Sequence, residues 1–281
     1  MVRKFRRGPQ GVNVTNPNQQ AINAPWTTVG QRHDACSAPA IGLPATWLTA
    51  TSRGVAENLA IDEALLEEAH EGRRLRPVAR AWVACSPAVV VGSSSRVADE
   101  VDLAACRKEG LPVVRRSSGG ATVVVGPGCL MWSLVLPCPD GPPTVERLHA
   151  SILAAVVAAF GSAGVNLRRR GTSDLVLGDR KVAGNALRVR RGGVLYHGTL
   201  LDAFDLGLIS RVLRHPPREP DYRESRSHEA FLANLELGGE SLQRLIRTAF
   251  AADDAAEPCD PARTARLLEQ RYANEAWNGR L

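Results

Sequence analysis

The sequence is short of aromatic residues, of closely spaced cysteines and of long apolar runs, and each shortage excludes a class of protein. Phe, Trp and Tyr make up 5% of the chain, and no nucleic-acid recognition motif accompanies them, so we expect no nucleic-acid partner. The six cysteines include no Cys-x-x-Cys pair, which disfavours a disulfide framework and a zinc site. No segment approaches the roughly 18 consecutive apolar residues of a membrane helix, and no apolar run follows the basic N-terminus. We therefore expect no membrane association and a cytoplasmic location.

What the chain does contain is typical of a globular protein with one large folded domain. Its 281 residues are 44% hydrophobic and 23% charged, a composition able to bury a substantial core. The formal net charge of +6 favours anionic ligands or an acidic partner protein. Residues 1–45 are rich in Pro, Asn, Gln and Gly and lack periodicity, which predicts a flexible tail. We place the folded domain at residues 46–281.

Apolar periodicity predicts helices mixed irregularly with short strands. In residues 57–70, Ile61, Ala64, Leu65 and Ala69 fall on one helical face, with the carboxylates elsewhere. Further helices are predicted over 97–110, 144–164, 205–213, 240–252 and 261–277. Strands are predicted as a pair (79–85, 88–92), an antiparallel group (112–116, 121–126, 130–137) and three runs joined by hairpin turns (174–177, 181–190, 194–201). Because hairpins replace regular βαβ alternation, we predict an α+β fold with a mixed, mostly antiparallel sheet flanked by helices.

The first candidate functional segment is Arg-Arg-Ser-Ser-Gly-Gly at residues 115–120. Gly119 and Gly120 lack Cβ atoms, so backbone N–H groups there can approach a ligand closely. The two arginines and two hydroxyls of Arg115, Arg116, Ser117 and Ser118 at the same place suit a phosphate or a carboxylate. The same residue types also form ordinary turns with solvated arginines, and spacing alone does not separate the two interpretations.

Lys181 opens a predicted strand of small residues, Lys-Val-Ala-Gly-Asn-Ala. A lysine in that place can project into a pocket and neutralise charge that develops on a phosphoryl group. The alternative interpretation is an exposed lysine at a strand end, since most lysines are surface residues.

His197 lies in an otherwise apolar strand, Tyr-His-Gly-Thr-Leu-Leu. A histidine in such a strand is either a hydrogen-bonded core residue or part of a site. No histidine clusters in the sequence with carboxylates at the spacing of metal ligands, so we predict no metal held by protein side chains.

Together and in this order, the three segments resemble the lipoate-protein ligase A family, within the biotin and lipoate ligase superfamily. Residues 113–120 are similar to the family's Arg-Arg-x-Ser-Gly-Gly-Gly loop. Residues 181–186 and 197–201 are similar to its Lys-Val-Ser-Gly-Ser-Ala and His-Gly-Thr-Leu-Leu strands. A helix like residues 57–66 and a Trp-Asn pair near the end also belong to the family's pattern, so the resemblance runs from about Trp47 to Gly279.

The resemblance implies a catalytic domain of the class II aminoacyl-tRNA synthetase and biotin synthetase type, and a two-step reaction. Lipoate attacks the α-phosphate of ATP to give lipoyl-AMP, and a lysine of an acceptor protein domain then displaces AMP. The implied substrates are lipoate and ATP, with Mg²⁺ as counter-ion. The implied partner is a lipoyl-accepting domain.

Site residues are carried over by their positions in the motifs. The resemblance implies that Lys181 holds the mixed-anhydride carbonyl and the α-phosphate and is the essential residue. It implies a wall of the acyl pocket at His197 and Gly198, and a role for Asp174 in positioning magnesium, adenosine or the acceptor amine. The remaining implied lipoyl- and adenylate-binding residues are Arg115, Ser118, Gly119, Gly120, Gly184 and Asn185.

Three features depart from the family's pattern. Ala121 replaces the third glycine of the loop, and residues 123–126 read Val-Val-Val-Gly where the ligases carry a Val-Phe/Tyr-His-Asp run. The sequence stops at Leu281, where ligases with an accessory domain continue. We therefore expect that the C-terminal accessory domain is absent and that a separate small subunit can supply it.

Two alternative functions stay open at this stage. An ATP-independent octanoyl or lipoyl transferase of the same superfamily would need a reactive cysteine, but residues 168–173 and 213–217, where such enzymes carry it, contain none. Cys129 lies in an apolar context and is predicted to be a core residue. The other alternative is a catalytically altered homologue that binds a lipoyl carrier without chemistry.

Overall fold

A computed structural model of the protein describes residues 44–50 and 54–281. The predicted flexible tail, residues 1–45, lies outside the described residues apart from its last two. The folded domain predicted from residue 46 onward lies almost entirely within them.

Strands and helices alternate irregularly along the chain, as the α+β prediction requires. The strands are β1 (Thr46–Trp47), β2 (Val78–Trp82), β3 (Ala88–Val91), β4 (Val113–Arg115), β5 (Val123–Val125), β6 (Cys129–Pro137), β7 (Leu167–Arg170), β8 (Asp174–Leu177), β9 (Arg180–Arg190), β10 (Gly193–Leu201) and β11 (Asp254–Ala255). The helices are α1 (Val55–His70), α2 (Val97–Glu100), α3 (Leu103–Lys108), α4 (Val145–Ser162), α5 (Leu206–Val212), α6 (His228–Phe231), α7 (Gly239–Ala249), α8 (Pro261–Leu267) and α9 (Glu275–Asn278). A 3₁₀ turn spans Asp221–Arg223, and a π-helical turn at Leu268–Tyr272 follows α8.

The strands form a large sheet and a small one. The large sheet has the order β11-β1-β2-β6-β10-β9-β8-β7, and the small sheet has the order β4-β3-β5. In the large sheet, every pair is antiparallel except the two that β1 makes with β2 and β11. The predicted mixed, mostly antiparallel sheet flanked by helices is therefore confirmed.

The two faces of the large sheet bury separate apolar clusters. Along β6, Met131 and Val135 belong to the cluster under α1 and the small sheet, whereas Trp132 and Leu134 belong to the cluster under α4 and α7. This alternation is what the two-residue period of a strand requires when both faces are covered. We call the side that carries α1 and the small sheet the upper face, because the candidate site lies there.

Helix α4 is long and apolar enough, by length and composition alone, to cross a membrane. Nevertheless, one side of α4 is buried in the apolar cluster on the opposite, lower face of the large sheet, through Leu148, Ile152, Leu153 and Phe160. The helix also packs against α7. The Thr144 hydroxyl accepts a hydrogen bond from the Arg147 N–H at 3.3 Å and thereby caps the N-terminus of α4. In this fold α4 is a core helix.

The helix predicted over residues 97–110 is two helices in the structure. Helix α2 ends at Glu100 and α3 begins at Leu103, because the Asp102 carboxylate caps α3. It accepts hydrogen bonds from the Ala104 and Ala105 N–H groups at 3.0 and 2.9 Å. An aspartate that bonds to the backbone in this way starts a new helix and interrupts the old one.

The strand grouping predicted for residues 112–137 is wrong. Strands β4 and β5 do not pair with β6; both pair with β3, which lies between them in the small sheet, and β4 is parallel to β3. Strand β6 instead lies in the large sheet between β2 and β10. The pair predicted at residues 79–92 is likewise divided, since β2 belongs to the large sheet and β3 to the small one.

Candidate functional site

A cavity of about 400 Å³ opens on the upper face of the large sheet, between α1, the small sheet and strands β8 to β10. Its buried end is apolar and is lined by Leu59, Trp82, Val90, Val125 and Met131. Its exposed end is polar and is lined by side chains that include Asp174, Lys181 and Arg218. This combination of an apolar pocket with a few convergent polar groups is typical of a small-molecule site.

Several polar atoms of cavity-lining residues are buried without a hydrogen-bond partner. They are Trp82 Nε1, Thr122 Oγ1, Trp132 Nε1 and Asn185 Oδ1. Buried polar groups in folded proteins are nearly always paired, with protein atoms or with water. Their concentration here indicates that a polar ligand or ordered water completes the site.

Lys181 lies at the exposed end of the cavity. Its Nζ is 2.8 Å from Asp174 Oδ1, and the Tyr222 hydroxyl donates to Asp174 Oδ2 at 2.8 Å. Gly184 leaves the space that the lysine occupies, since a Cβ there would lie 3.0 Å from Lys181 Nζ. The ammonium is therefore fixed in place while a quarter of its side chain stays exposed to solvent and ligand.

His197 lies on β10 between Ser133 of β6 and Ala186 of β9. Its Nε2 is 2.6 Å from Ser118 Oγ, and its Nδ1 is 3.9 Å from Asp62 Oδ2. Because Arg116 Nε donates to Ser118 Oγ at 3.0 Å, the Ser118 hydroxyl proton is free to point at His197. That arrangement favours the tautomer whose proton is on Nδ1, toward Asp62.

Asp62 of α1 is the centre of a buried polar network beneath the cavity. Its Oδ1 accepts hydrogen bonds from Arg80 Nη1 and Ser133 Oγ, each at 2.7 Å, and Asp62 and Arg80 are both almost fully buried. Burial alone would raise the pKa of the Asp62 carboxyl, but Arg80 and then His197 outweigh it and hold that pKa below its usual value. Asp62 therefore remains a carboxylate at neutral pH.

Arg116 shapes the loop at residues 116–121. Its guanidinium donates to the carbonyls of Gly119 and Ala121 at 2.7 and 2.9 Å and to that of Val90 at 3.1 Å. Burial lowers the pKa of Arg116 to about 10, so the side chain stays charged at neutral pH. Gly120 adopts a φ of 89°, which favours glycine at that position.

Arg115 has a different task, because its buried guanidinium points away from the cavity. It donates to the carbonyls of Gly92 and Ser95 at 2.7 and 2.8 Å, and also to that of Arg280. Its backbone carbonyl accepts from Trp277 Nε1 at 2.9 Å. Arg115 therefore ties the loops around the cavity to the C-terminal Trp-Asn segment.

Seven of the residues predicted from the sequence come together around the cavity: Gly120, Asp174, Lys181, Gly184, Asn185, His197 and Gly198. Three others, Arg115, Ser118 and Gly119, do not line it in this structure. Ser118 is fully buried behind His197, and Gly119 lies in the loop that Arg116 holds. Gly198 makes room for the Asn185 amide, whose Oδ1 a Cβ would overlap.

Sequence reasoning missed Asp62, Arg80 and Gly92, and of the two adjacent arginines it assigned the binding role to Arg115 rather than to Arg116. Asp62 lies in the helical segment at residues 57–70, whose sequence signal is its apolar face, and Arg116 lies directly after Arg115. Among the residues that the structure describes, no three His, Cys, Asp or Glu side chains are grouped to hold a metal ion.

Residues 55–247 match the family model of the lipoyl protein ligase A/B catalytic domain. The chain belongs to this family. The matched range runs from the start of α1 into α7 and includes every residue that lines the cavity.

Two relatives agree with that membership. A protein of Aeropyrum pernix provisionally named lipoate-protein ligase A is 35% identical over 157 residues, which is 56% of this chain and 57% of the relative. The octanoyltransferase LipM of Carboxydothermus hydrogenoformans is 33% identical over 188 residues, 60% of this chain and 68% of the relative. The chain thus spans little more than half of the Aeropyrum protein.

The fold is that of the family's solved members. A structure of a bi-partite lipoate protein ligase from Thermoplasma acidophilum, described with its E2 lipoyl domain, superposes with a TM-score of 0.73 at 22% identity. The similarity covers 85% of this chain and 98% of that one.

Gly92 provides a first test of how the site is built. A Cβ at Gly92 would overlap the backbone carbonyl of Gly120, so we expect Gly92→Ala to displace the loop at residues 116–121. The expected loss in the free energy of unfolding, measured by urea denaturation, is about 1–3 kcal/mol. Gly119→Ala is the matched control, because a Cβ there meets nothing within 4 Å. Equal stability of the two variants would contradict the close packing of Gly92 under Gly120.

Proposed function

We propose that the protein attaches a lipoyl group to a lysine of an acceptor protein domain, after activating lipoate with ATP as lipoyl-AMP. The observation that carries this proposal is the position of Lys181, fixed by Asp174 at the polar end of a cavity whose buried end is apolar. No cysteine is among the residues that line this cavity. The site thus contains a cation for adenylate chemistry and no thiol for a thioester.

The apolar end suits the acyl chain of lipoate. A chain that fills the space between Leu59, Val90 and Met131 would transfer apolar surface out of water. Its carboxylate would then lie toward the polar end, where Lys181 carries a positive charge. Lipoate is therefore oriented by the cavity itself, with the reacting group at the exposed end.

In the first step, a lipoate carboxylate oxygen forms a bond to the α-phosphorus of ATP. The bond from that phosphorus to the bridging oxygen breaks, and pyrophosphate leaves with the electron pair. Lys181 stabilises the negative charge that develops on the α-phosphate, an electrostatic contribution that acts most strongly in the transition state. Mg²⁺ would accompany the ATP phosphates as their counter-ion, which is its usual mode of binding.

In the second step, the acceptor lysine amine forms an amide bond to the acyl carbon of lipoyl-AMP, and AMP leaves with the electrons of the broken carbon–oxygen bond. The amine must lose a proton. Asp174 lies beside Lys181 at the exposed end, 2.8 Å from its Nζ, and we assign it to orienting the entering amine and receiving that proton. Its Tyr222 partner fixes the carboxylate in this orientation.

An ATP-independent octanoyl or lipoyl transferase is the second candidate, favoured by the 33% identity to the Carboxydothermus octanoyltransferase. Such an enzyme needs a reactive thiolate. Burial raises the pKa of Cys129 to about 12, and its side chain is fully buried. Cys85 is exposed but does not line the cavity. These features support the ligase over the transferase.

The test is an intact-mass measurement of a lipoyl-accepting domain incubated with the protein and free lipoate. We expect a lipoyl adduct on the acceptor with ATP and Mg²⁺, none without ATP, and the same rate for Cys85→Ser and Cys129→Ser as for the wild type. A hydroxylamine-sensitive acyl adduct on the protein, formed without ATP from an acylated carrier and lost in Cys129→Ser, would establish the transferase instead. Lipoate binding with no AMP release would identify a binding homologue.

We also propose that a separate small subunit assists the reaction, as the bi-partite ligase of Thermoplasma acidophilum suggests. The same assay is therefore run with and without such a subunit. Lipoylation that requires its addition supports the two-part enzyme, and full activity of the chain alone rejects it.

A further inference from the structure

Strands β8 to β10, which border the cavity, and the neighbouring strand β7 are together strongly basic. They contain seven arginines and lysines and one carboxylate, Asp174. That carboxylate is already paired with Lys181 at 2.8 Å. These four strands alone therefore have a net charge equal to the +6 of the whole chain.

Strand register puts most of these cations on the upper face. Arg170 pairs with Asp174, which pairs with Gly184, which pairs with Thr199, and the last three line the cavity. Residues directly opposite one another in antiparallel strands share a face, as do alternate residues along one strand. The cations on the cavity's face are therefore Arg168, Arg170, Lys181, Arg188 and Arg190, which we call the cationic strip.

The two ends of the strip differ in how their charges are engaged. Arg170 stacks over the Tyr222 ring at 4.5 Å, and Arg168 donates to the Gly178 carbonyl at 3.1 Å. Arg188 is exposed and Arg190 half-buried, and within the described ranges neither guanidinium has a hydrogen bond or an ion pair. Both arginines lie on β9, two and four residues after Ala186 of the cavity wall. Unpaired cations at the edge of a site are available to a partner.

We infer that the cationic strip docks the acceptor, and that it selects an acceptor domain whose lysine is surrounded by carboxylates. This inference rests on the proposed function. Before it enters the site, the acceptor lysine is a cation, and the strip therefore repels it. This repulsion persists when the side chains around that lysine on the acceptor domain are neutral or basic. Carboxylates beside the lysine reverse that repulsion, because complementary charges speed encounter and like charges exclude wrong partners.

The test uses the E2 lipoyl domain of Thermoplasma acidophilum in two forms, with Asp and Glu or with Asn and Gln at the surface positions around its acceptor lysine. For the acidic form, we expect Arg188→Glu/Arg190→Glu to lower kcat/KM by about tenfold or more at low salt, the range that electrostatic steering covers. The amide form should react slowly with the wild type, and the double substitution should slow it little further. With the wild-type protein, high salt should reduce the difference in kcat/KM between the acidic and the amide form of the acceptor.

A small neutral nucleophile separates docking from chemistry. Hydroxylamine traps lipoyl-AMP as the hydroxamate without a protein acceptor, so its rate should be unchanged in Arg188→Glu/Arg190→Glu. Arg147→Glu/Arg244→Glu is the matched control, since it makes the same charge change at exposed positions on α4 and α7, which cover the lower face. Equal loss in both double variants, or none in either, would overturn the docking strip. Absence of hydroxamate from the wild type, both alone and with the small subunit added, would reject the proposed function itself.

Discussion

Lys181→Ala is expected to lower the rate of lipoyl-AMP formation by about 100- to 1000-fold, the scale on which a preorganised charge stabilises a transition state. The side chain contacts Asp174 and the cavity and belongs to neither apolar cluster. Its removal should therefore leave the fold intact. The measurement is the ATP- and lipoate-dependent release of pyrophosphate, with circular dichroism to verify folding.

The neighbouring residue supplies the control for that experiment. Arg180 precedes Lys181 on β9, is exposed and donates to the Glu229 carbonyl at 2.6 Å, but it does not line the cavity. Arg180→Ala should keep the wild-type rate of pyrophosphate release. A folded Lys181→Ala protein that releases pyrophosphate as fast as Arg180→Ala would show that Lys181 has no part in activation.

Asp174→Asn separates the role of the ion pair in forming lipoyl-AMP from its role in transferring the lipoyl group to the acceptor lysine. The amide keeps the shape of the side chain and can still accept from Tyr222, but it loses the charge that faces Lys181. Because we assign Asp174 to the entering amine, this variant should slow transfer to the acceptor lysine more than it slows pyrophosphate release. A larger effect on pyrophosphate release would instead mean that Asp174 acts mainly by positioning Lys181.

Local signals in the sequence were sufficient for the elements whose ends depend on neighbouring residues. Strands β8 to β10 follow from hairpin turns at Gly178 and Gly192, and α4 follows from its apolar stripe and its Thr144 cap. The division of strands between two sheets is a different kind of problem. The sheet that a strand joins depends on which residues its faces bury. Strand β3 pairs with β4 and β5, which follow it by more than twenty residues in the sequence.

The candidate site likewise contains residues that are close in sequence and residues that only distant contacts bring together. Lys181, Asp174 and Gly184 are close in sequence, so one motif brings them together, and the same holds for His197 and Gly198. Arg115 and Arg116 are adjacent on one strand end, yet their side chains have different partners, and the sequence does not say which one lines the cavity. The helical pattern puts Asp62 off the apolar face of α1, whereas its burial depends on Arg80 and Ser133, which lie on strands β2 and β6.

The buried network around Asp62 gives the largest expected effect on stability. Asp62→Leu leaves the Arg80 guanidinium, whose side chain is 1% exposed, without its carboxylate. Removing one partner of a buried ion pair typically costs about 3–5 kcal/mol, because the remaining charge is uncompensated. We expect a loss of that size in the free energy of unfolding, measured by urea denaturation at neutral pH.

The loss should also depend on pH with a defined sign. The pKa of Asp62 is lowered on folding from its usual value near 3.8. The stability that the carboxylate contributes is therefore fully present above that value and is lost as the pH falls through the lower pKa of the folded state. The difference in the free energy of unfolding between the wild type and Asp62→Leu should stay constant from neutral pH down to about pH 5 and become smaller below pH 4. A difference that narrows near pH 6 would implicate another group.

Replacing both partners shows whether Asp62→Leu loses stability because Arg80 is left unpaired or because any substitution at position 62 is destabilising. In Asp62→Leu/Arg80→Met no buried charge is left alone, so the double variant should regain at least half of the stability that Asp62→Leu loses. Activity should not return with it, because His197 then lacks the carboxylate that faces its Nδ1 and its ring is no longer oriented against Ser118. Full recovery of lipoyl-AMP formation in this stable double variant would mean that the network only supports the fold. Recovered stability with a rate still below the wild type would show that Asp62 positions His197 in the wall of the cavity.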